Sequence, residues 1–321
     1  MKTLKKLVLL FVIGLLSLNI YAQDINAAGE AFNDGNQAIK AKDYAGAVSY
    51  YKSSIDECQM VGADAAELQT KVEAQLTKAY YYNAQTLYKK KNFDAAVAEF
   101  NKAIEAAEVS GDAKTKGKAK KFIPKVYSSE GMSLLKAKKY DEAIAVFNKA
   151  FEVDAKCVNA FYGMGLAYKG QDEIDLAISN FDMAIENGAG NPKAEKTVNK
   201  VNKAAGKMCE ANAAKELQIE HTDKAISLLN KSIEYSGGTA NTYYMLALAY
   251  NKKNQFDDAI AAANTGLGIE GVDANNINFE LGKAYEGKGD ATNACTTYKK
   301  VTGGPNVEAA KFQIKEVLKC N

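Results

Sequence analysis

The chain has 321 residues, 47% of them apolar and 25% charged, which excludes a disordered chain or one embedded throughout in a membrane. The formal net charge is +2, so nothing global points to a polyanionic partner. All 41 basic residues are Lys, and without Arg the chain lacks the usual tool for bidentate phosphate or guanine recognition, which argues against sequence-specific nucleic-acid binding.

The first segment, "MKTLKKLVLLFVIGLLSLNIYAQ", has a positive start (Lys2, Lys5, Lys6) and an apolar run from Leu7 to Leu18. That run is about 12 residues, short of the roughly 20 that span a bilayer. The pattern predicts a secretory signal over residues 1–22, cleaved between Ala22 and Gln23. No Cys stands at the cleavage point, so the signal is not of the lipoprotein kind. The expectation is an exported protein of the periplasm or cell envelope, in an oxidising compartment.

From residue 23 onward one pattern recurs. "AKDYAGAVSYYKSS" (41–54), "KKNFDAAVAEFNKA" (90–103), "KKYDEAIAVFNKA" (138–150) and "KNQFDDAIAAANTG" (253–266) repeat an aromatic, a polar residue and a small-aliphatic-aromatic stripe. The stripe ends on an anchor at Tyr51, Phe100, Phe147, Phe181, Leu229, Ala263 and Tyr298. Four residues earlier stands Ala each time (Ala47, Ala96, Ala143, Ala177, Ala225, Ala259, Ala294), and three later a small or aliphatic residue. These spacings share one helix face, and Ala lets a second helix approach closely. Sixteen residues before each anchor is another small residue: Gly35, Ala84, Gly131, Gly165, Ala213, Ala247 and Gly282. Each unit therefore reads as a first helix, a turn and a second helix. Such a unit cannot bury its own stripe, so the units are expected to stack.

The anchors are spaced 49, 47, 34, 48, 34 and 35 residues apart. The three long intervals predict helical inserts within 63–90, 111–127 and 191–218, read as long hairpins projecting from the stack. Asp64 is expected to cap the first insert and Asn191–Pro192 to open the third. Pro124 is expected to kink or break the second. "PNVEAAKFQIKEVLKC" (305–320) reads as a helix covering the apolar face left open after the last unit. The organisation is thus a solenoid over 23–304 and a cap over 305–321.

Small residue, aromatic, then Ala, aromatic and Ala at these offsets resembles the tetratricopeptide repeat, whose period is 34 residues. The resemblance covers essentially the whole chain after the signal. No unit has the signature Trp, the unit with Cys209, Glu216 and Leu229 is weak, and the proline after the second helix is mostly missing. The resemblance implies an all-α, right-handed superhelical solenoid of about seven helix-turn-helix repeats. It also implies that the fifth position of each first helix points into the groove. Those positions are Phe32, Tyr81, Ser128, Tyr162, Glu210, Tyr244 and Phe279. The aromatic ones (Phe32, Tyr81, Tyr162, Tyr244, Phe279) would grip a peptide or protein partner, or else pack against the next repeat and expose only an edge. Some family members hold a C-terminal carboxylate with Lys, Asn and Arg. Here Asn36 matches the Asn, but Phe32 stands at the Lys position and Arg is absent, which disfavours that mode.

Catalytic signals are missing. The lone His221 falls in a predicted turn, so no metal site is expected. "GLGIEG" (266–271) has the letters of a dinucleotide fingerprint, but it follows a helix and reads as helix-stop signals. No cofactor is expected, and the chain reads as a non-catalytic scaffold. The Lys run at 114–121 with Lys125 is a solvated face or a contact for an acidic or membrane surface. Of five cysteines, Cys295 and Cys320 form the best-placed pair, near the ends of the C-terminal hairpin; the alternative is that all five are small buried residues. Two rivals to a groove binder remain: an assembly subunit that oligomerises through the projecting hairpins, and an enzyme or small-ligand binder with a polar pocket.

Overall fold

The computed structural model describes residues 25–320. The expected signal segment and its cleavage point lie outside the described residues. The described residues are all-α, with no strand among them. They form two compact units, one ending at Asp172 and the other beginning at Glu173.

The first unit holds α1 (25–40), α2 (Tyr44–Val61), α3 (Ala66–Lys89), α4 (Phe93–Ser110), α5 (Ala113–Lys136), α6 (Tyr140–Val153) and α7 (Val158–Gly170). The second holds α8 (Ile174–Gly188), α9 (Glu195–Gln218), α10 (Thr222–Ser236), α11 (Ala240–Lys252), α12 (Phe256–Leu267), α13 (Asn275–Gly287), α14 (Ala291–Tyr298) and α15 (Val307–Phe312). Within each unit, helix pairs pack on their neighbours in chain order, the arrangement of a helical solenoid.

The recurrent spacing has a direct physical meaning. All seven anchors are fully buried, and three anchor rings rest on the glycine sixteen positions earlier. Tyr51 lies on Gly35, Phe147 on Gly131 and Tyr298 on Gly282. A Cβ at Gly282 would stand 2.6 Å from the Tyr298 ring, so only glycine admits the ring there. The seven alanines four residues before the anchors have no exposed surface. Where the stripe carries Ser, the hydroxyl has a partner: Ser54 donates to the Ala28 carbonyl at 2.7 Å, and Ser232 to the Gly206 carbonyl at 3.0 Å. Both bonds tie a second helix to its own first helix, and both satisfy a buried hydroxyl.

The turn inside each pair is also repeated. Seven residues after the small residue the backbone is left-handed, at Lys42, Lys91, Lys138, Asp172, Glu220, Asn254 and Gly289. The following N–H then closes back on the first helix, as in Asn92 to Leu87 and Lys139 to Leu134, both 3.0 Å. This satisfies carbonyls that a helix end would otherwise leave orphaned. Three lysines thus occupy a conformation that usually favours Gly or Asn.

The inserts are helical and lengthen α3, α5 and α9 to 24 residues each, against 13 for α7, α11 and α13. Much of the added length is packed rather than projecting freely. Cys58, Val61, Val72 and Leu76 are buried along α2 and α3, and Ala65 in the 3₁₀ turn between them. Thr77 and Ser110 join α3 to the end of α4 at 3.0 Å.

Four local expectations need correction. α5 runs unbroken through Pro124. Proline forfeits one backbone bond, but Ala119, Ile123 and Val126 around it are buried in the core cluster with α4, and that packing holds the helix together. Asp64 does not cap α3; it sits in a 3₁₀ turn, Gly62–Ala65, that leads straight into the helix. Asn191 and Pro192 form a turn of their own, with the Lys193 N–H on Asn191 Oδ1 at 3.1 Å, and α9 starts only at Glu195. The cap is shorter than expected: α15 has six residues and continues as a π turn, Gln313–Val317.

Asp112 caps α5, accepting from the Thr115 N–H at 2.9 Å and the Thr115 hydroxyl at 2.6 Å. These two donors hold its carboxyl below the usual carboxylate range. Asp112→Ala should cost about 1 kcal/mol, measured by urea unfolding at neutral pH. Because the folded-state pKa is depressed, that contribution is present above the ordinary carboxylate pKa and is lost as pH falls through the folded value. The gap between wild type and variant should therefore close in acid.

Candidate functional site

The seven predicted groove positions fall at the same register of successive first helices. In the first unit, Phe32 (α1), Tyr81 (α3) and Tyr162 (α7) are half-buried, while Ser128 (α5) is buried. In the second, Glu210 (α9), Tyr244 (α11) and Phe279 (α13) are half-buried. Phe32 and Tyr81 pack against core clusters that include residues of the next repeat's first helix. Three of the rings rest on the anchor ring of their own second helix: Phe32 on Tyr51 at 5.9 Å, Tyr81 edge-on to Phe100 at 5.7 Å, and Phe279 on Tyr298 at 5.8 Å. Such tilted and edge-on contacts suit the ring quadrupole and hold each ring in place. Part of each ring stays open to solvent. A pre-ordered aromatic surface loses little side-chain entropy when a partner lands on it.

The polar neighbours of this row are largely engaged. Tyr81 accepts the Gln85 amide at 2.9 Å. Burial pushes the Tyr81, Tyr162 and Tyr244 hydroxyls above the usual phenol range, so they remain neutral donors. Asn36 takes the Tyr51 hydroxyl at 2.9 Å. Ser128 donates to the Pro124 carbonyl at 2.7 Å.

Glu210 has a structural task that its spacing did not disclose. It accepts from Thr239 Oγ1 at 3.0 Å, Asn241 Nδ2 at 2.8 Å and Thr242 Oγ1 at 2.7 Å. Burial alone would raise its pKa, but these three donors outweigh it and hold the carboxyl below the usual range. The carboxylate so braces the capping box, Thr239 with Thr242, at the start of α11. Farther along, the buried Glu280 receives Asn251 Nδ2 at 2.8 Å and Lys283 Nζ at 3.0 Å. Tyr244 also lines a cleft of about 360 Å³ with Asn241, Asp273, Asn276 and Ile277.

The remaining sequence candidates are placed as follows. His221 is the residue before α10, with Nδ1 2.9 Å from Glu216. "GLGIEG" spans the end of α12 and the turn beyond it. The Lys run lies on the first half of α5; Lys116 pairs with Glu108 at 2.8 Å, and Lys125 stands over the Phe122 ring at 4.9 Å. Cys295 and Cys320 are joined as a disulfide, with Cα atoms 5.8 Å apart. Cys58, Cys157 and Cys209 are free and buried, and burial pushes the Cys209 thiol up to about 12.

Sequence profiles of known families match three stretches: a TPR repeat at residues 131–172, and a tetratricopeptide repeat at residues 77–109 and again at 244–307. No curated protein sequence matches the chain. Among solved structures it is similar to YrrB, titled a TPR protein with an unusual peptide-binding site, at 16% identity over 60% of this chain and 88% of that one, TM-score 0.36. It is similar also to MamA, at 21% identity over 60% and 95%, TM-score 0.37. The fragment of MamA from residue 41 onward from Desulfovibrio magneticus RS-1 gives 20% over 56% and 92%, TM-score 0.34. Tetratricopeptide repeats are protein–protein interaction modules. With its profile matches and its helix pairs in register, this chain is a tetratricopeptide-repeat protein.

Proposed function

We propose that the protein is a non-catalytic scaffold of the periplasm or cell envelope that holds a peptide or protein segment on its first-helix aromatics, Phe32, Tyr81 and Tyr162 in the first unit or Tyr244 and Phe279 in the second. The observation that carries this reading is the recurrence of Phe32, Tyr81, Tyr162, Tyr244 and Phe279 at one register, each half-exposed. The leader-like first 22 residues and the Cys295–Cys320 bridge support an exported, oxidising setting.

Aromatic anchors at interfaces contribute about 2 kcal/mol each when truncated. Tyr81→Ala combined with Tyr162→Ala should leave the far-UV circular dichroism unchanged. Capture of an envelope partner, identified by mass spectrometry against wild type, should fall at least tenfold, roughly the 1.4 kcal/mol step. Equal capture by the double variant would move the binding surface elsewhere.

A second reading, a subunit that oligomerises through its long hairpins, draws support from Met60 and Val109. These apolar residues lie near the tips, 65% and 72% exposed. Light scattering after size exclusion separates the two: a monomer at micromolar concentration leaves only the binder.

A further inference from the structure

The first unit carries two clefts that the aromatic row does not line. One, of about 310 Å³, lies where the end of α3 and the start of α4 meet α5, and includes Tyr88, Phe93 and Met132 under Lys89, Lys91 and Lys136. The other, of about 350 Å³, lies one repeat later, where α5 and the start of α6 meet α7. It includes Leu135, Tyr140 and Leu166 under Lys136 and Lys169. Met132 and Lys136 belong to both, so the clefts abut.

Their chemistry is uniform. The floors are half-buried apolar and aromatic side chains, and the four lysines on the rims are exposed. No Asp or Glu lines either cleft. None of Lys89, Lys91, Lys136 and Lys169 has a carboxylate partner among the described residues, whereas many other lysines of the chain do. Four uncompensated ammonium groups around an apolar floor produce a positive field focused on the clefts.

We infer that these abutting clefts bind an acidic polypeptide segment in extended form, with one bulky apolar side chain seated in each cleft and carboxylates on the lysine rim. The spacing supports this occupant. Neighbouring packed helices stand about 8–10 Å apart. A polyproline-II strand advances about 3.1 Å per residue with three residues per turn, so positions i and i+3 face the same way about 9 Å apart. A segment with apolar residues at i and i+3 and Asp or Glu between and beside them matches both the floors and the rim. A lipid headgroup or nucleic acid would satisfy the lysines but leave the two apolar floors empty. The inference rests on the protein being a polypeptide binder, but not on the aromatic row as the surface used.

The test uses the purified full chain and a fluorescein-labelled nonapeptide with Leu at positions 4 and 7 and Glu or Asp elsewhere, read by anisotropy. Saturable binding below about 1 mM is expected. It should weaken with added salt, because exposed charges are screened. Replacing the acidic residues by Lys, or both leucines by Ser, should weaken it at least tenfold, a step of about 1.4 kcal/mol. Lys136→Glu should do the same with an unchanged melting temperature, and Lys114→Glu, outside the clefts, should not. Tyr81→Ala with Tyr162→Ala should keep the peptide affinity. The inference is overturned by absence of binding, by indifference to Lys136→Glu or to the Leu→Ser peptide, or by loss in the aromatic-row variant. Anionic phosphatidylglycerol vesicles that compete as well as the peptide would overturn it too. Failure here with a positive result for the aromatic-row variant in partner capture would leave the proposed function intact and remove only this surface.

Discussion

Phe147→Ala should destabilise the first unit by about 3–5 kcal/mol in urea unfolding followed by circular dichroism. The ring has no exposed surface and lies between two glycines, Gly131 of its own first helix and Gly163 of α7. A Cβ at Gly131 would stand 2.6 Å from Phe147 Cζ, and one at Gly163 2.7 Å from Cε2. Ala143, Ala150, Cys157, Ala160 and Met164 close the cluster. Most of the surrounding wall is backbone and Ala methyl groups, and of the buried members only Met164 is long enough to reach into the vacated space, so most of that space stays empty. The cavity term therefore adds to the lost transfer energy instead of relaxing away. A cycle with Gly131→Ala gives a sharper check. Alone, Gly131→Ala should overpack the ring and destabilise by about 1–3 kcal/mol. In the Phe147→Ala background the same change should cost far less, because the added methyl enters the cavity. A loss below 1 kcal/mol for Phe147→Ala, or strict additivity in the cycle, would mean that the ring is not what joins α5, α6 and α7.

Reduction of the Cys295–Cys320 bridge should cost the second unit about 3 kcal/mol, for a closed loop of 25 residues. The bridge ties the chain after the π turn back to α14. Beneath it lie Tyr298, Val301 and Ala310, with Ile314 and Leu318 packed against them. α15 alone, at six residues, is far below the length at which a helix sustains itself in water. With the bridge open, the cap should fray and expose that apolar face. Cys58, Cys157 and Cys209 are free and buried, so a reductant acts on this one pair. The expected result is a lower urea midpoint and new binding of an apolar dye when reductant is added to wild type. Cys295→Ser with Cys320→Ser should show the same midpoint with and without reductant. An oxidised and a reduced wild type of equal stability would remove the staple from the account of the C-terminal end.

The helix pairs were legible because their signals are local. Ala143 and Ala150, on either side of Phe147, are set by the 3.6-residue period, and a period survives being read one residue at a time. Gly131 was legible too, since a ring that sits on a backbone requires a residue without Cβ at a constant offset. The helical inserts followed from the same reasoning: residues 63–90 and 191–218 are rich in helix formers, and their length had to go somewhere. The turns were less legible. Lys42, Lys91 and Lys138 take left-handed backbone where Gly was the natural expectation. The bonds that close the turn override the preference of the residue that occupies it. Pro124 misled in the opposite sense, because the missing N–H is a local deficit and the compensating core around Ile123 and Val126 is not.

The candidate site divides in the same way. Positions such as Tyr81 and Tyr244 could be counted off from their small residues. Their surroundings could not. That Tyr81 leans on Phe100, and that Glu210 is occupied by Thr239, Asn241 and Thr242, depends on residues roughly 19 to 32 positions away brought into contact by stacking. The abutting clefts are a further case, since Lys91, Met132 and Lys169 become neighbours only through the packing of successive helix pairs.

From its sequence alone, this protein was determined to be a stack of helix pairs whose stripes are buried by their neighbours, because helix periodicity and steric room are properties of residues a few positions apart. Tertiary structure alone decided which aromatics keep an open face, which carboxylates are already spent on helix ends, and where lysines gather over apolar floors. Those outcomes depend on distances between groups remote along the chain, and electrostatic and packing energies are functions of distance in space.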